Sequence, residues 1–439
     1  MQKKKVSVGL IGFGTVGTGV AKVLKKNAAL FRQRMGASVE LKRIADLDIT
    51  TDRGVALKKG QLTRDAMSII NDPEIDIVVE LIGGIEPART LVLRAIEKGK
   101  HIVTANKALL AEHGYELYRA AADNGVDIAF EASVAGGIPI IRAVQEGFAS
   151  DRITGFFGIL NGTANYILSK MTDEGGDFAA ILKDAQQKGY AEADPTFDIE
   201  GHDTLHKLAV LSSLAFGRKV DMKQFYVEGI TGITPLDIEF ANELGFRIKL
   251  LAICRSSGKE IDARVHPVLI PQNHLLSRVN DAFNAVFLQS VDVGPTMLYG
   301  KGAGMMPTGS AVVADVISLG RNLVKGIAGR VALLPQGKGS FAAVKTKPMR
   351  DIQTRYYLRF SAADEPGVLS KISGILGRNQ ISIHSVVQKG RQTKRGAVTI
   401  FMLTHEAKES NLQKALKQMQ KIELLRKPTM LIRIEDGLG

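Results

Sequence analysis

The sequence predicts an α/β protein with three parts: a Rossmann-like parallel-sheet domain, an α+β domain, and a small ferredoxin-like unit at the C-terminal end. Three observations carry this expectation. Over residues 1–135, short β-branched and apolar runs alternate with helix-like segments, the pattern of a parallel sheet. Between 136 and 330, helical patterns come first and extended segments follow. Residues 355–439 then read strand, helix, strand, strand, helix, strand, the βαββαβ order. A chain of 439 residues is also too long for one core.

Taken in order, Val6 to Ile11 reads as a strand, Val16 to Leu30 as a helix, and Val39 to Ala45 and Ile75 to Ile82 as strands. Pro87 opens a helix that ends near Gly99. His101 to Thr104 and Val126 to Phe130 are further strands around a helix from Ala108 to Ala122. In the middle part, helices are expected at Asn165 to Met171, Phe178 to Lys188 and His202 to Phe216, and strands at Arg247 to Arg255, Ile261 to Ile270 and Ala285 to Val291. Residues 331–354, with Pro335 and Pro348, read as a linker. The tail places strands at Tyr356 to Ala362, Ile381 to Lys389, Ala397 to Leu403 and Met430 to Ile434, the middle two joined by a Gly/Arg/Lys turn. Its helices begin at Pro366-Gly367 and at Asn411.

A hydrophobic share of 45% and a charged share of 23% are those of a globular protein. No apolar run approaches the ~18 residues that span a bilayer, and Met-Gln-Lys-Lys-Lys leads into a strand without a signal-peptide pattern. The single cysteine, Cys254, suits a reducing compartment, so a cytoplasmic location is expected. The net charge of +13 is spread along the chain without a nucleic-acid-binding signature, which argues against nucleic acid as a partner.

Gly12-Phe13-Gly14-Thr15-Val16-Gly17 matches G-x-G-x-x-G between a strand and a helix, the context that makes it a dinucleotide site. Gly12 permits the tight turn, Gly14 lets a pyrophosphate approach, and Gly17 lets helix and strand pack closely. Asp46, ending the second strand, suits the ribose of NAD; Lys42, Arg43 and Arg53 suit the extra phosphate of NADP, toward which the charge leans.

Residues 182–208 hold Tyr190, Glu192, Asp194 and Asp198, then Asp203 and Lys207 four apart on one helix. Such a set suits a small cationic or zwitterionic substrate that needs a proton moved. Asp203 and Lys207 could be a surface i,i+4 pair, but their helix is apolar on almost every side, which favours burial and a lysine with acid–base use. Lys107 follows the fourth strand, where ligands bind beyond the carboxyl ends of a parallel sheet; it could equally open a solvated helix. His202 and His206 read as structural. Glu131, entering a glycine-rich turn, could be a buried, paired acid or a ligand for a hard cation, and spacing alone favours the structural role. Asn161-Gly162-Thr163 opens a helix at a place suited to carboxylate capture.

Together, Gly-Phe-Gly-Thr-Val-Gly, Thr-Ala-Asn-Lys, Glu-Ala-Ser-Val-Ala-Gly-Gly-Ile-Pro, Leu-Asn-Gly-Thr-Ala-Asn-Tyr and Gly-Tyr-Ala-Glu-Ala-Asp-Pro with Asp203 and Lys207 resemble homoserine dehydrogenase, in its bacterial long form. Asp364-Glu365-Pro366-Gly367-Val368-Leu369 resembles the first turn of an ACT domain. The resemblance implies interconversion of L-homoserine and L-aspartate 4-semialdehyde with NAD(P), on the route to threonine and methionine. It makes Lys207 the acid–base lysine with Asp203 beside it, and Lys107 a residue between nicotinamide and substrate. Glu192 would hold the substrate ammonium, aided by Tyr190, Thr163 and Asp198. It further implies Gly302 at the cofactor, and a sodium-like ion at Glu131 and the carbonyls of Val134, Gly136 and Ile138. Threonine would be the effector at the ACT domain of a homodimer or homotetramer. Two rival readings are a non-catalytic amino-acid sensor and a semialdehyde dehydrogenase, which would need Cys254 as a nucleophile.

Overall fold

Six parallel strands organise the N-terminal part: β1 (Lys5–Ile11), β2 (Ser38–Ala45), β3 (Leu62–Thr63), β4 (Ile77–Glu80), β5 (His101–Thr104) and β6 (Ile128–Ala129), in the order β3-β2-β1-β4-β5-β6. The order reverses beside β1, so the loops after β1 and β4 leave the carboxyl edge on either side of a crevice. This computed structural model describes residues 3–333, 343–389 and 397–438. Its residues pack as two compact units, Met1–Phe156 with Leu205–Lys223 and Phe283–Val344, and Phe157–Thr204 with Gln224–Ala282 and Lys345–Gly439. The segment 136–330, expected as one domain, is thus shared between the two.

The expected helix from Val16 to Leu30 is two helices, Thr15–Lys26 and Ala28–Met35. Asn27 leaves helical geometry between them, and asparagine competes well for backbone groups outside a helix. Sequence reading named no element over the helix Met305–Lys325, because Pro307, Gly309 and Gly320 weaken its pattern. Those glycines serve close packing. A Cβ on Gly309 would meet the backbone of Gly19 at 2.8 Å, so only small residues let this helix cross Thr15–Lys26. Val312, Val313, Val316 and Leu319 then share one core with Val6, Val8, Leu10 and Val20.

In the second unit, the hairpin of Phe246–Ser256 and Glu260–Pro271 belongs to a sheet that continues through Met430–Ile434, Gln353–Ala363, Ala397–Thr404 and Ile383–Lys389. Met430–Ile434 joins Glu260–Pro271 in parallel, pairing Arg433 with Val268 and Ile434 with Leu269. The βαββαβ tail therefore extends the α+β sheet rather than standing apart from it. Its own core gathers Tyr356, Leu358, Phe360, Ile372, Leu376, Ile400, Leu412 and Met419. Of the expected linker, Lys345–Thr346 is a short strand paired with Glu260 and Ile261. Residues 334–342 of that linker, and most of the expected Gly/Arg/Lys turn, lie outside the described residues.

Candidate functional site

The glycine turn after β1 behaves as its spacing predicts. Gly12 has φ +99°, and a Cβ there would lie 2.6 Å from the backbone of Leu81 in the loop after β4. Gly14 faces open space, so a phosphate can approach its backbone at the N-terminus of Thr15–Lys26. Gly17 packs on the turn itself, with a would-be Cβ 2.1 Å from the Gly12 carbonyl. Phe13 is buried, Thr15 exposed and Val16 half-buried, which leaves Thr15 facing solvent beside Gly14. These residues fit a dinucleotide.

Asp46 stands at the carboxyl end of β2, accepting from the N–H groups of Phe13 and Asp48. The cation beside it is Arg53, whose Nη2 is 3.7 Å from Asp46 and whose guanidinium lies 5.1 Å from the centre of the Phe13 ring. Arg43 is placed differently from expectation. It sits within β2 opposite Gly9, and its charge helps hold down the pKa of Asp72, in the loop that precedes β4. Lys42 is turned the same way, bonded to Asp72 at 2.8 Å and Glu74 at 2.6 Å.

Lys107 begins the helix Lys107–Asp123 directly after β5, on the same carboxyl edge, and is half-buried. The loops around it are locked. Thr104 Oγ1 donates to Glu80 at 2.6 Å, Asn106 Nδ2 donates to the Gly84 carbonyl at 2.6 Å, and Asn106 Oδ1 caps Leu109 N–H. Burial pushes the Glu80 carboxyl up, and its Oε1 accepts from Ile82 and Gly83.

Of the residues expected to clamp an amino acid, Asp198, together with Asp203, meets Asn161, while Glu192 is not brought to it; Asn161 caps the helix Gly162–Glu174. Its Oδ1 accepts from Ala164 N–H at 2.7 Å. Its Nδ2 donates to Asp198 Oδ1 at 2.7 Å and to Asp203 Oδ2 at 2.8 Å, so one amide gathers two carboxylates. Thr163 Oγ1 lies 3.3 Å from Asp198 Oδ2 and donates to the Tyr190 carbonyl at 2.6 Å. Asp203, 4% exposed, belongs to the helix His202–Phe216, and Lys207 lies one turn further along it, half-buried rather than enclosed. Glu192 is exposed, with its carbonyl held by Gln186 Nε2 at 3.0 Å. The Tyr190 ring, 47% exposed, packs 4.8 Å from that of Tyr166. The arrangement offers carboxylates and a hydroxyl to an ammonium group, beside a helix N-terminus able to attract a carboxylate.

Glu131 is buried, accepting from Ile141 N–H at 2.7 Å and Arg142 N–H at 3.1 Å. Burial, then the charge of Asp315, pushes its pKa up to about 7. Asp315, raised by burial to about 6, bonds Arg142. Two carboxylates against one arginine leave room for one more positive charge. Hydrogen bonds within the turn use the carbonyls of Phe130, Ala135 and Ile138, and leave those of Val134 and Gly136 outside them. The Glu131 carboxylate and these carbonyls are oxygen donors of the kind a hard cation takes, and Ile138 O already accepts from Ile140 N–H at 2.8 Å. Gly302 is pressed on this turn: a Cβ on Gly136 would meet the Gly302 carbonyl at 2.3 Å, and Lys301 O accepts from Gly137 N–H at 3.0 Å.

Two residues were not identified as site residues by sequence. Asn161 was read as opening a helix at a place suited to carboxylate capture, but its side-chain partners Asp198 and Asp203 were not foreseeable. Asn284, 1% exposed, lies against Gly302 with no hydrogen bond for its carboxamide among the described residues. Cys254, by contrast, is buried within the strand Phe246–Ser256, unlike a cleft nucleophile.

Comparisons with known proteins agree with this geometry. The family model for homoserine dehydrogenase matches residues 139–317, the homoserine dehydrogenase NAD binding domain matches 12–131, and the ACT domain matches 356–424. Homoserine dehydrogenases of Neisseria gonorrhoeae and Pseudomonas aeruginosa are 45% and 43% identical, with 99% of this chain and of each relative covered. A solved homoserine dehydrogenase from Thiobacillus denitrificans superposes with a TM-score of 0.93 at 46% identity, covering 100% of both chains. The chain therefore belongs to the homoserine dehydrogenase family of oxidoreductases, with an NAD-binding domain and a C-terminal ACT domain.

Proposed function

We propose that this enzyme interconverts L-homoserine and L-aspartate 4-semialdehyde, on the route to threonine and methionine, and prefers NADP to NAD. The observation that carries the reading is the Asn161 amide, at the head of a helix, bonded to both Asp198 and Asp203, the latter on the helix that also carries Lys207. Arg53 beside Asp46 favours a 2′-phosphate, since the Asp46 carboxylate is already engaged by two backbone N–H groups.

The substrate ammonium is held by Glu192 and Asp198 with the Thr163 hydroxyl, Tyr190 covers it, and the substrate carboxylate meets the N-terminus of Gly162–Glu174. The nicotinamide, when bound, supplies the hydride or takes it up. In the reducing direction Lys207 donates a proton to the aldehyde oxygen, and in the oxidising direction its neutral amine removes the hydroxyl proton. Asp203, oriented by Asn161, directs Lys207; Lys107 is the alternative donor. Gly12, Gly14 and Gly17 cradle the pyrophosphate, with Gly302 against the cofactor. A sodium-like ion at Glu131, Val134, Gly136 and Ile138 would brace the turn on which Gly302 rests.

Threonine acts as effector through the ACT domain. The exposed apolar side chains Val291, Val293 and Tyr299 favour self-association as a homodimer or homotetramer. A cytoplasmic site of action accords with a single, buried cysteine, Cys254; no described helix is long and apolar enough to cross a membrane.

The test is homoserine-dependent reduction of NADP and of NAD, with and without threonine. Lys207→Ala is expected to lower kcat by ~10²–10⁴-fold with NADPH binding retained. Near-normal turnover in Lys207→Ala together with an inactive Lys107→Ala would move the role to Lys107.

A further inference from the structure

Glu228 is gripped by the C-terminal βαββαβ unit on one side, and the residues after it run against the helix that carries Asp198. Its Oε2 accepts from Arg433 Nη1 at 2.7 Å and from the Tyr226 hydroxyl at 2.7 Å. Arg433, 1% exposed on the strand Met430–Ile434, gives its remaining bonds to Glu409 at 2.7 and 3.0 Å and to the Tyr226 hydroxyl at 3.2 Å. Glu409 is itself buried and opens the helix Glu409–Met419 of the same unit. One guanidinium thus ties two elements of the tail to Glu228.

Beyond Glu228 there is no slack. Its N–H is fixed to Val265 O at 2.8 Å, Ile230 N–H donates to Ile199 O at 2.9 Å, and Thr231 Oγ1 donates to Glu200 at 3.0 Å. At Gly229 a Cβ would lie 2.5 Å from Ile199 O and 2.6 Å from Glu200 Cα, so the two backbones touch with nothing between them. Ile199 follows Asp198 in the short helix Thr196–Ile199, and Asp198 is the carboxylate that Asn161 and Thr163 hold. Close-packed groups transmit a displacement rather than absorb it.

We propose that Arg433 and Glu228 are positioning residues for the amino-acid clamp, setting the place of Asp198 and linking the state of the C-terminal unit to substrate affinity. Neither touches substrate. The proposal rests on the clamp and effector roles proposed above, and it specifies the contacts through which they communicate.

The test uses the full-length chain and Glu228→Gln, which keeps size and hydrogen bonding but removes the charge, with Tyr226→Phe as a milder companion. KM for homoserine is expected to rise roughly 5–20-fold in Glu228→Gln, within the lower part of ordinary coupling between sites, and to rise less in Tyr226→Phe. The kcat and the NADPH Kd should stay within about twofold, and threonine should shift the KM of Glu228→Gln less than that of the wild type. A folded Glu228→Gln with unchanged KM overturns the proposal, as does a parallel loss of kcat, KM and NADPH binding. If Glu228→Gln does not fold, Gly229→Ala reads the same contact: a raised KM supports the link and an unchanged one overturns it. A wild type insensitive to threonine, with KM still raised in Glu228→Gln, removes the effector reading and supports the positioning role.

Discussion

Lys249→Met should invert the order of stability between variant and wild type as pH changes. Lys249 lies in the strand Phe246–Ser256 with only 2% of its surface exposed. Its Nζ donates to Val279 O at 2.5 Å, Asn165 Oδ1 at 3.1 Å and Asn280 Oδ1 at 3.4 Å, all neutral acceptors. Burial, reinforced by Arg247, lowers its pKa from 10.5 to about 7. Below pH 7 the folded and unfolded chains both carry the proton, and the folded chain bears the whole cost of burying it. At about 1.4 kcal/mol per pKa unit that cost is roughly 5 kcal/mol. Between pH 7 and 10.5 the unfolded chain binds a proton that the folded chain does not, so stability rises with pH, by ~2 kcal/mol from pH 7 to 9. Methionine removes this dependence and forfeits hydrogen bonds worth about 1 kcal/mol each; Val279 O keeps its bond from Asn165 Nδ2. The variant should therefore be more stable than wild type at pH 6, by roughly 2 kcal/mol, and less stable at pH 9. Urea unfolding followed by circular dichroism at pH 6, 7, 8 and 9 measures both curves. Parallel curves would refute the reasoning.

Asn161→Ala removes a helix cap worth about 1 kcal/mol and two charge-assisted bonds worth ~1.5–3 kcal/mol each. It should raise KM for homoserine more than tenfold and lower Tm by several degrees; a KM near that of wild type would separate Asn161 from the clamp. Gly17→Ala places a methyl 2.1 Å from the Gly12 carbonyl, so NADPH titrated by fluorescence should bind at least tenfold more weakly, and unaltered binding would contradict the cradle. Glu131→Gln removes the charge that two carboxylates and Arg142 leave unbalanced. Activation by sodium over choline chloride should be lost, and activation equal to wild type would exclude Glu131 as a cation ligand.

Legibility followed distance along the chain. The glycine turn and the i,i+4 pair Asp203/Lys207 are local patterns, and they appear where their spacing puts them. What escaped notice at Asn161 was its pair of carboxylate partners, because they are 37 and 42 positions away. Arg43 and Arg53 could not be told apart by proximity to Asp46; only the strand register and the Phe13 ring decide for Arg53. Glu131 shows the same limit. As a letter it is an acid before a glycine-rich turn, and its raised pKa comes from burial and from Asp315, 184 residues away.

By itself, the sequence determined the strand–turn–helix of the cofactor cradle, the helix bearing Asp203 and Lys207, and the succession of strands and helices in the C-terminal unit. Backbone conformation and periodicity are set within a few residues, so they survive in one dimension. Tertiary structure alone decided that Met305–Lys325 completes the core of the parallel-sheet unit, that the tail's last strand pairs with Glu260–Pro271, and that Arg433 reaches Glu228. Burial and choice of hydrogen-bond partner depend on which distant segments the chain brings together, and a buried charge then takes whatever partner that packing supplies.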